Sequence, residues 1–333
     1  MQLKNGDKMR KALIVGIDYY QSISQLYGCV NDSYSVKSVL ERNSDVTLNF
    51  DIMHDTASND SQSITRGELK DKITQLFADD SEVALFYYAG HGYIENNGGF
   101  LVTSECTRGD DGLALDEVLN IANKSKAKNK IIILDSCHSG IAGNISSIEN
   151  RALLSEGVTI LTASSESQYA QEKNGHGVFT TLLVDALNGS ASNLVGEISP
   201  ASVYAHIDQS LGAWEQRPIF KTNIKKFISL RRVQAPISLD DLKMITTLFQ
   251  KVNSVFQLDP TFEPKRDNTD LQDLPEPIEK NVEQFRILQK FNRINLVVPI
   301  DEEHMYYAAM NSKSCKLTSL GEHYWSLVNK DRI

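Results

Sequence analysis

The chain has 333 residues, of which 41% are hydrophobic and 23% charged, with a formal net charge of −9. Such values belong to folded globular chains and exclude general disorder, and the acidic balance gives no overall attraction for nucleic acid or anionic lipid. No run approaches the ~18–20 apolar residues that cross a bilayer, the N-terminus shows no secretory pattern, and Cys29, Cys106, Cys137 and Cys315 have no paired spacing. A cytoplasmic protein with free thiols and no membrane contact is expected.

The length suggests two domains. Residues 11–17 (KALIVGI) read as a buried strand, followed by a helix over 32–40 in which Val36, Val39 and Leu40 share a face, and a second strand over 48–53. A helix over 66–77 takes Thr65 as its N-cap; 83–88 (VALFYY) is a third strand, 130–135 (KIIILD) a fourth and 158–163 (VTILTA) a fifth. Helices over 178–187 and 201–211 precede a last strand at 226–230. Near-continuous apolar strands alternating with helices predict an α/β fold, a mostly parallel six-stranded sheet flanked by helices on both faces. Beyond residue 232 the pattern changes. Residues 237–256 read as a helix with Ser238 as N-cap, 257–277 holds four of the eight prolines among charged residues and reads as a linker, and 277–291 is helical. Residues 295–300, 305–310 and 318–329 then read as strand, strand and helix. The expected domains are 1–232 and 233–333.

Ligands of parallel sheets bind beyond the carboxyl ends of the strands, and two strand ends carry reactive side chains. The third strand runs into Tyr88-Ala89-Gly90-His91-Gly92 and the fourth into Asp135-Ser136-Cys137-His138-Ser139-Gly140. A cysteine attacks as its thiolate, which needs a lowered pKa or a nearby base, and an imidazole is the natural base near neutral pH. Taken singly, a cysteine after an apolar strand is ordinarily a small core residue, and a histidine in a glycine turn is ordinarily structural. His138 is closer in sequence to Cys137, but adjacent turn residues point apart. If strands three and four are neighbours, His91 and Cys137 meet at the carboxyl edge, where the backbone N–H groups of Gly92 and Cys137 face a developing oxyanion.

Taken together, the segments resemble the caspase/metacaspase superfamily of cysteine peptidases. The resemblance rests on Gly16-Ile17-Asp18-Tyr19, Gly28-Cys29-Val30-Asn31-Asp32, Phe86 to Gly92, Asp135 to Gly140, the spaced residues Ala163, Ser164, Ser165, Gln168, Ala170 and Glu172, and then Gly177, Phe179, Thr180 and Leu183. It covers about residues 10–230 and is closer to metacaspases and their bacterial relatives than to animal caspases, chiefly in 28–32 and 135–140. The resemblance implies a cysteine endopeptidase with His91 and Cys137 as its dyad and with Gly92 and Cys137 as its oxyanion hole. It also implies an S1 pocket for a basic P1 side chain, made by Asp32 and Asp135 with Cys29 beside them. The local alternatives are a helix N-cap for Asp32 and a strand-end turn for Asp135. No cofactor is implied. Some metacaspases bind calcium through aspartates, and Asp110, Asp111 and Asp116 lie in that region without matching position by position. Arg151 lies in the loop that some members cleave for activation. By analogy, bacterial members act in stress or anti-phage responses. The other reading is an inactive caspase-like scaffold or regulator acting through its C-terminal domain, although such homologues usually lack the Cys or the His.

Residues 233–333 resemble, more weakly, a winged-helix domain. Over 280–333 eight Lys or Arg stand against six Asp or Glu, which is no basic stripe, so a regulatory protein partner is expected there and nucleic acid is not. Tyr306, Tyr307, Tyr324 and Trp325 are candidates for an exposed contact cluster or for core.

Overall fold

The computed structural model describes residues 9–333 except 96–97, 137–143, 146–147, 153, 164–171, 174–175, 213–216 and 267–273. For residues 144–145, 148–152 and 172–173 it describes the backbone alone. Two compact units divide the chain, Met1–Gln234 and Ala235–Ile333.

The first unit runs β1 (Arg10–Ile17), α1 (Cys29–Leu40), β2 (Asp51–Ala57), α2 (Arg66–Leu76), β3 (Val83–Ala89), β4 (Gly92–Glu95), β5 (Gly98–Leu101), β6 (Leu113–Ala114), α3 (Leu115–Lys124), β7 (Asn129–Asp135), β8 (Val158–Thr162), β9 (Glu172–Lys173), β10 (His176–Gly177), α4 (Val178–Asp185), α5 (Pro200–Ser210) and β11 (Ile219–Asn223). The central sheet has the order β11-β8-β7-β3-β1-β2. Every neighbouring pair is parallel except β8 with β11. The expected mostly parallel six-stranded sheet is present. Its sixth strand, however, is β11 and not 226–230. An antiparallel edge strand is only half covered, so β11 lacks the apolar run that marks the inner strands. The carbonyls of Ser229 and Leu230 instead accept from Arg10 Nη2 at 2.8 and 3.1 Å.

Strand alternation sends successive residues to opposite faces. Leu13, Val15, Phe86 and Tyr88 join a core closed by Leu69, Ile73 and Leu76 of α2 and Val118 and Leu119 of α3. Ala12, Ile14, Leu85 and Tyr87 join a second core, closed by Val36 and Leu40 of α1, Phe179 and Leu183 of α4, and Val203 and Ile207 of α5. Each such burial of a large apolar side chain contributes about 1.5–3 kcal/mol, so both faces resist any shift of the strands between them. Thr65 caps α2 in a reciprocal box with Glu68, whose carboxyl those hydrogen bonds lower. Helix α1 begins after Gly28, which has no side chain to cap it. Asp18 does so from the preceding strand end, accepting from Cys29 N at 2.9 Å and Val30 N at 3.3 Å.

The second unit contains α6 (Leu239–Lys243), α7 (Ile245–Leu248), β12 (Val255–Gln257), α8 (Glu279–Arg293), β13 (Val297–Pro299), α9 (Met305–Met310), β14 (Ser314–Leu317) and α10 (Ser319–Asn329). Its sheet has the order β12-β14-β13 and both pairings are antiparallel. Ser238 is an N-cap as expected, but 237–256 is two short helices and a strand rather than one helix. Met305–Met310, expected as a strand, is a helix that buries Met305, Ala308 and Ala309, and Met and Ala are strong helix formers. The stretch 257–277, read as a linker, starts inside β12 and buries Leu258, Pro260, Phe262 and Glu263. Of the four candidate contact aromatics, Tyr307 is exposed and Tyr324 is buried, while Trp325 donates its indole N–H to Phe249 O at 2.6 Å. Among the described residues no helix is long and apolar enough to cross a membrane.

Candidate active site

Strands β3 and β7 are neighbours in the sheet, and their register sets Ala89 opposite Asp135. One residue further, Gly90 N donates to Asp135 O at 3.3 Å, so the two strand ends stay joined. His91 follows. Its N–H donates to Tyr20 Oη at 2.8 Å, and its carbonyl accepts from Val102 N at 3.0 Å and from Tyr88 Oη at 3.0 Å. The imidazole packs on the Tyr20 ring with centroids 4.7 Å apart. Burial drives both phenols well above the usual tyrosine range. A Cβ on Gly90 would lie 2.6 Å from Tyr88 Oη and 2.8 Å from Tyr20 Oη, so this position is closed to any side chain. His91 Nε2 lies 2.9 Å from Ser24 O. A carbonyl only accepts, so Nε2 carries the ring proton of the neutral imidazole and Nδ1 is left as its basic atom. Gly92 opens β4 opposite Leu101.

The two aspartates assemble on the other side of the same edge. Asp32 is not an N-cap: it lies inside the first turn of α1, 2% exposed, and Gly28 holds the cap position. Its Oδ2 accepts from Gly177 N at 2.8 Å and its Oδ1 lies 2.9 Å from His176 Nδ1. Asp135, the last residue of β7, is also buried, and its Oδ2 accepts from Thr180 Oγ1 at 2.6 Å. Thr180 Oγ1 is 2.6 Å from Tyr87 Oη. Since the threonine proton goes to Asp135, Tyr87 is the donor in that pair. Burial first, then the charges of Asp135 and Asp32, push the Tyr87 phenol well up. A Cβ on Gly177 would lie 2.5 Å from Asp135 Oδ2 and 3.0 Å from Asp32 Oδ2, so both carboxylates border one point in space. Cys29 opens α1 nearby and is buried.

Cys137 and His138 lie outside the described residues, as do 164–171 of the resemblance and the side chain of Arg151. The other three cysteines are buried free thiols, and burial pushes the Cys315 thiol up to about 12. Of Asp110, Asp111 and Asp116, the first two are engaged within their own turn. Asp111 spends its carboxylate on Thr107 and Arg108, which lower it, and Asp110 pairs with Arg108. Among the described residues no three His, Cys, Asp or Glu side chains stand together as metal ligands. Three contributors escaped the sequence reading. Ser24 acts through its backbone and leaves no signal. Tyr20 sits beside a quoted motif. His176 was detectable, because Gly-His-Gly occurs at both 90–92 and 175–177.

A parallel sheet with a histidine turn and a buried carboxylate at adjacent strand ends defines the class of caspase-like α/β folds. The chain belongs to the caspase domain family, a family of cysteine peptidases, whose profile matches residues 9–229. It is similar to metacaspase-1 of Schizosaccharomyces pombe, 37% identical over 86 residues, or 25% of this chain and 20% of that one. With metacaspase-1 of Meyerozyma guilliermondii it shares 26% over 163 residues, covering 42% and 38%. The matches thus span well under half of these relatives. The solved structure of caspase-1 from Spodoptera frugiperda shares the fold, with TM-score 0.50 at 15% identity over 70% of this chain and 97% of that one. A Geobacter sulfurreducens protein, GSU0716, also has TM-score 0.50, at 17% identity over 68% and 98%.

Proposed function

We propose that this protein is a cysteine endopeptidase that cleaves after Arg or Lys, with His91 and Cys137 as its dyad. The observation that carries the reading is the pair of buried carboxylates, Asp32 and Asp135, converging on Gly177 at the strand edge from which His91 also projects. Cys137 follows Asp135 by two residues, as His91 follows Ala89. Two residues of chain reach at most ~7 Å and neighbouring strands lie about 4.8 Å apart, so a thiol and an imidazole leaving these ends have short distances to cover.

In this mechanism Nδ1 of His91 takes the thiol proton of Cys137, and the thiolate attacks the scissile carbonyl. The oxyanion is received by the N–H groups of Gly92 and Cys137. The imidazolium returns its proton to the leaving amine, and the thioester is then hydrolysed by water deprotonated by His91. Asp32 and Asp135 take the guanidinium or ammonium head of P1 through charge-assisted hydrogen bonds, with Cys29 beside them. For Ala235–Ile333 we propose a winged-helix-like module for protein contact, for which the exposed Tyr307 is a candidate anchor. The test compares matched peptides with Arg, Lys, Asp or Ala at P1, with Cys137→Ala as control. Arg and Lys above Ala, and Asp lowest, is the expected order; a preference for Asp overturns the proposal.

A further inference from the structure

One short segment supplies three hydrogen-bond donors to the two carboxylates. Gly177 N and His176 Nδ1 hold the two oxygens of Asp32, and Thr180 Oγ1 holds Asp135. Residues 176–180 are the point where β10 passes into the first turn of α4. Free N–H groups and the positive end of the helix dipole favour carboxylates there. Gly177 contributes by lacking a side chain, since a Cβ would strike both carboxylates. The donors differ in depth. Thr180 is buried and is itself fed by Tyr87, whereas the His176 side chain is 45% exposed above an Asp32 side chain that is 3% exposed. His176 therefore stands at the rim, and Thr180 at the floor.

We infer that the segment 176–180 determines how firmly a basic P1 side chain is held. His176 and Thr180 are positioning residues that aim the Asp32 and Asp135 carboxylates, and Gly177 is the space those carboxylates share. The inference rests on the S1 reading given above and adds to it the residues that make two like-charged groups a usable pair. A carboxylate oxygen has more than one lone pair, so a guanidinium can bind while His176 and Thr180 keep their contacts. Losing either donor loosens the aim of one carboxylate, and the planar fork of arginine tolerates misalignment less than the point charge of lysine.

The test uses the full chain with Arg-P1, Lys-P1 and Ala-P1 peptides and measures KM and kcat separately. The rate of Cys137 alkylation by iodoacetamide reports the dyad independently of S1, with the buried Cys315 as a silent internal control. Thr180→Val and His176→Ala are expected to raise KM for Arg-P1 about ten- to a hundredfold, the size of a lost hydrogen bond to a charged group. The rise should be smaller for Lys-P1, and alkylation should proceed at the wild-type rate. Thr180→Ser and His176→Asn restore a donor at each place and should recover most of the loss. If Arg-P1 KM stays within about twofold of wild type in both deletions, or if kcat and alkylation fall together with KM unchanged, the inference is overturned. A wild-type enzyme indifferent to P1 charge overturns this inference and the S1 reading together; a wild-type enzyme selective for Arg with unaffected variants overturns the inference alone.

Discussion

The two sides of the strand edge at Ala89 and Asp135 are built from different physics. Under His91 the supports are neutral: the Tyr20 and Tyr88 hydroxyls, the Ser24 carbonyl and a ring packed against a ring. Around Asp32 and Asp135 the supports are donors aimed at charge. The first arrangement fixes where an imidazole sits, as the proposed base requires. The second orients two buried carboxylates, as the proposed S1 pocket requires. Rate and selectivity should therefore respond separately to mutation.

The largest effects should come from the proposed dyad. Cys137→Ala and His91→Ala should each lower peptide hydrolysis on the order of 10⁴–10⁶-fold at every P1 residue, with thermal unfolding unchanged. Residual activity above about one per cent in Cys137→Ala would remove the basis for the comparison. Asp32→Ala should follow. Removing one member of a buried charge-paired contact costs about 2–5 kcal/mol, so Arg-P1 cleavage should drop roughly thirty- to several-thousand-fold while Ala-P1 cleavage and Cys137 alkylation stay near wild type. A parallel fall in all three would merge the two sides into one.

Tyr20→Phe should act on rate and leave selectivity alone. It leaves the His91 N–H without its acceptor, a penalty of about 1–3 kcal/mol, and should lower kcat about tenfold for Arg-P1 and Ala-P1 alike. Their ratio should not move, and a changed ratio would show that the tyrosine brace also shapes S1. The smallest effect is expected from a chain ending at Gln234, which should keep kcat/KM for short peptides within about threefold if the first unit is complete as a domain. A larger loss would mean that Ala235–Ile333 contributes to hydrolysis.

Legibility in the sequence followed the strength of the local signal. The inner strands β1, β3, β7 and β8 are continuous apolar runs and were located within a residue or two. The edge strand β11 was missed because half exposure erases that signal, and 226–230 imitates it. In the second unit Met305–Met310 was misjudged because a six-residue apolar run fits either period. In the site, His91, Asp32 and Asp135 were visible because each is a chemically distinctive side chain beside glycines or at a strand end. The Ser24 carbonyl was not visible, since any residue supplies one. The link from Tyr87 through Thr180 to Asp135 was also hidden, because it depends on β3 and α4 meeting across the sheet.

Tyr87 and Tyr88 are consecutive, yet they serve opposite faces. Tyr87 feeds the threonine below the carboxylates, and Tyr88 braces the histidine turn. A one-residue slip of a strand exchanges its faces. A single insertion or deletion within Val83–Ala89 would therefore turn both phenols to the wrong faces and disturb the histidine turn and the carboxylate supports in one event. Point substitutions can tune either half of this edge alone, whereas changes in strand length cannot, so length variation within the lineage should be purged from β3 and tolerated in its connecting loops.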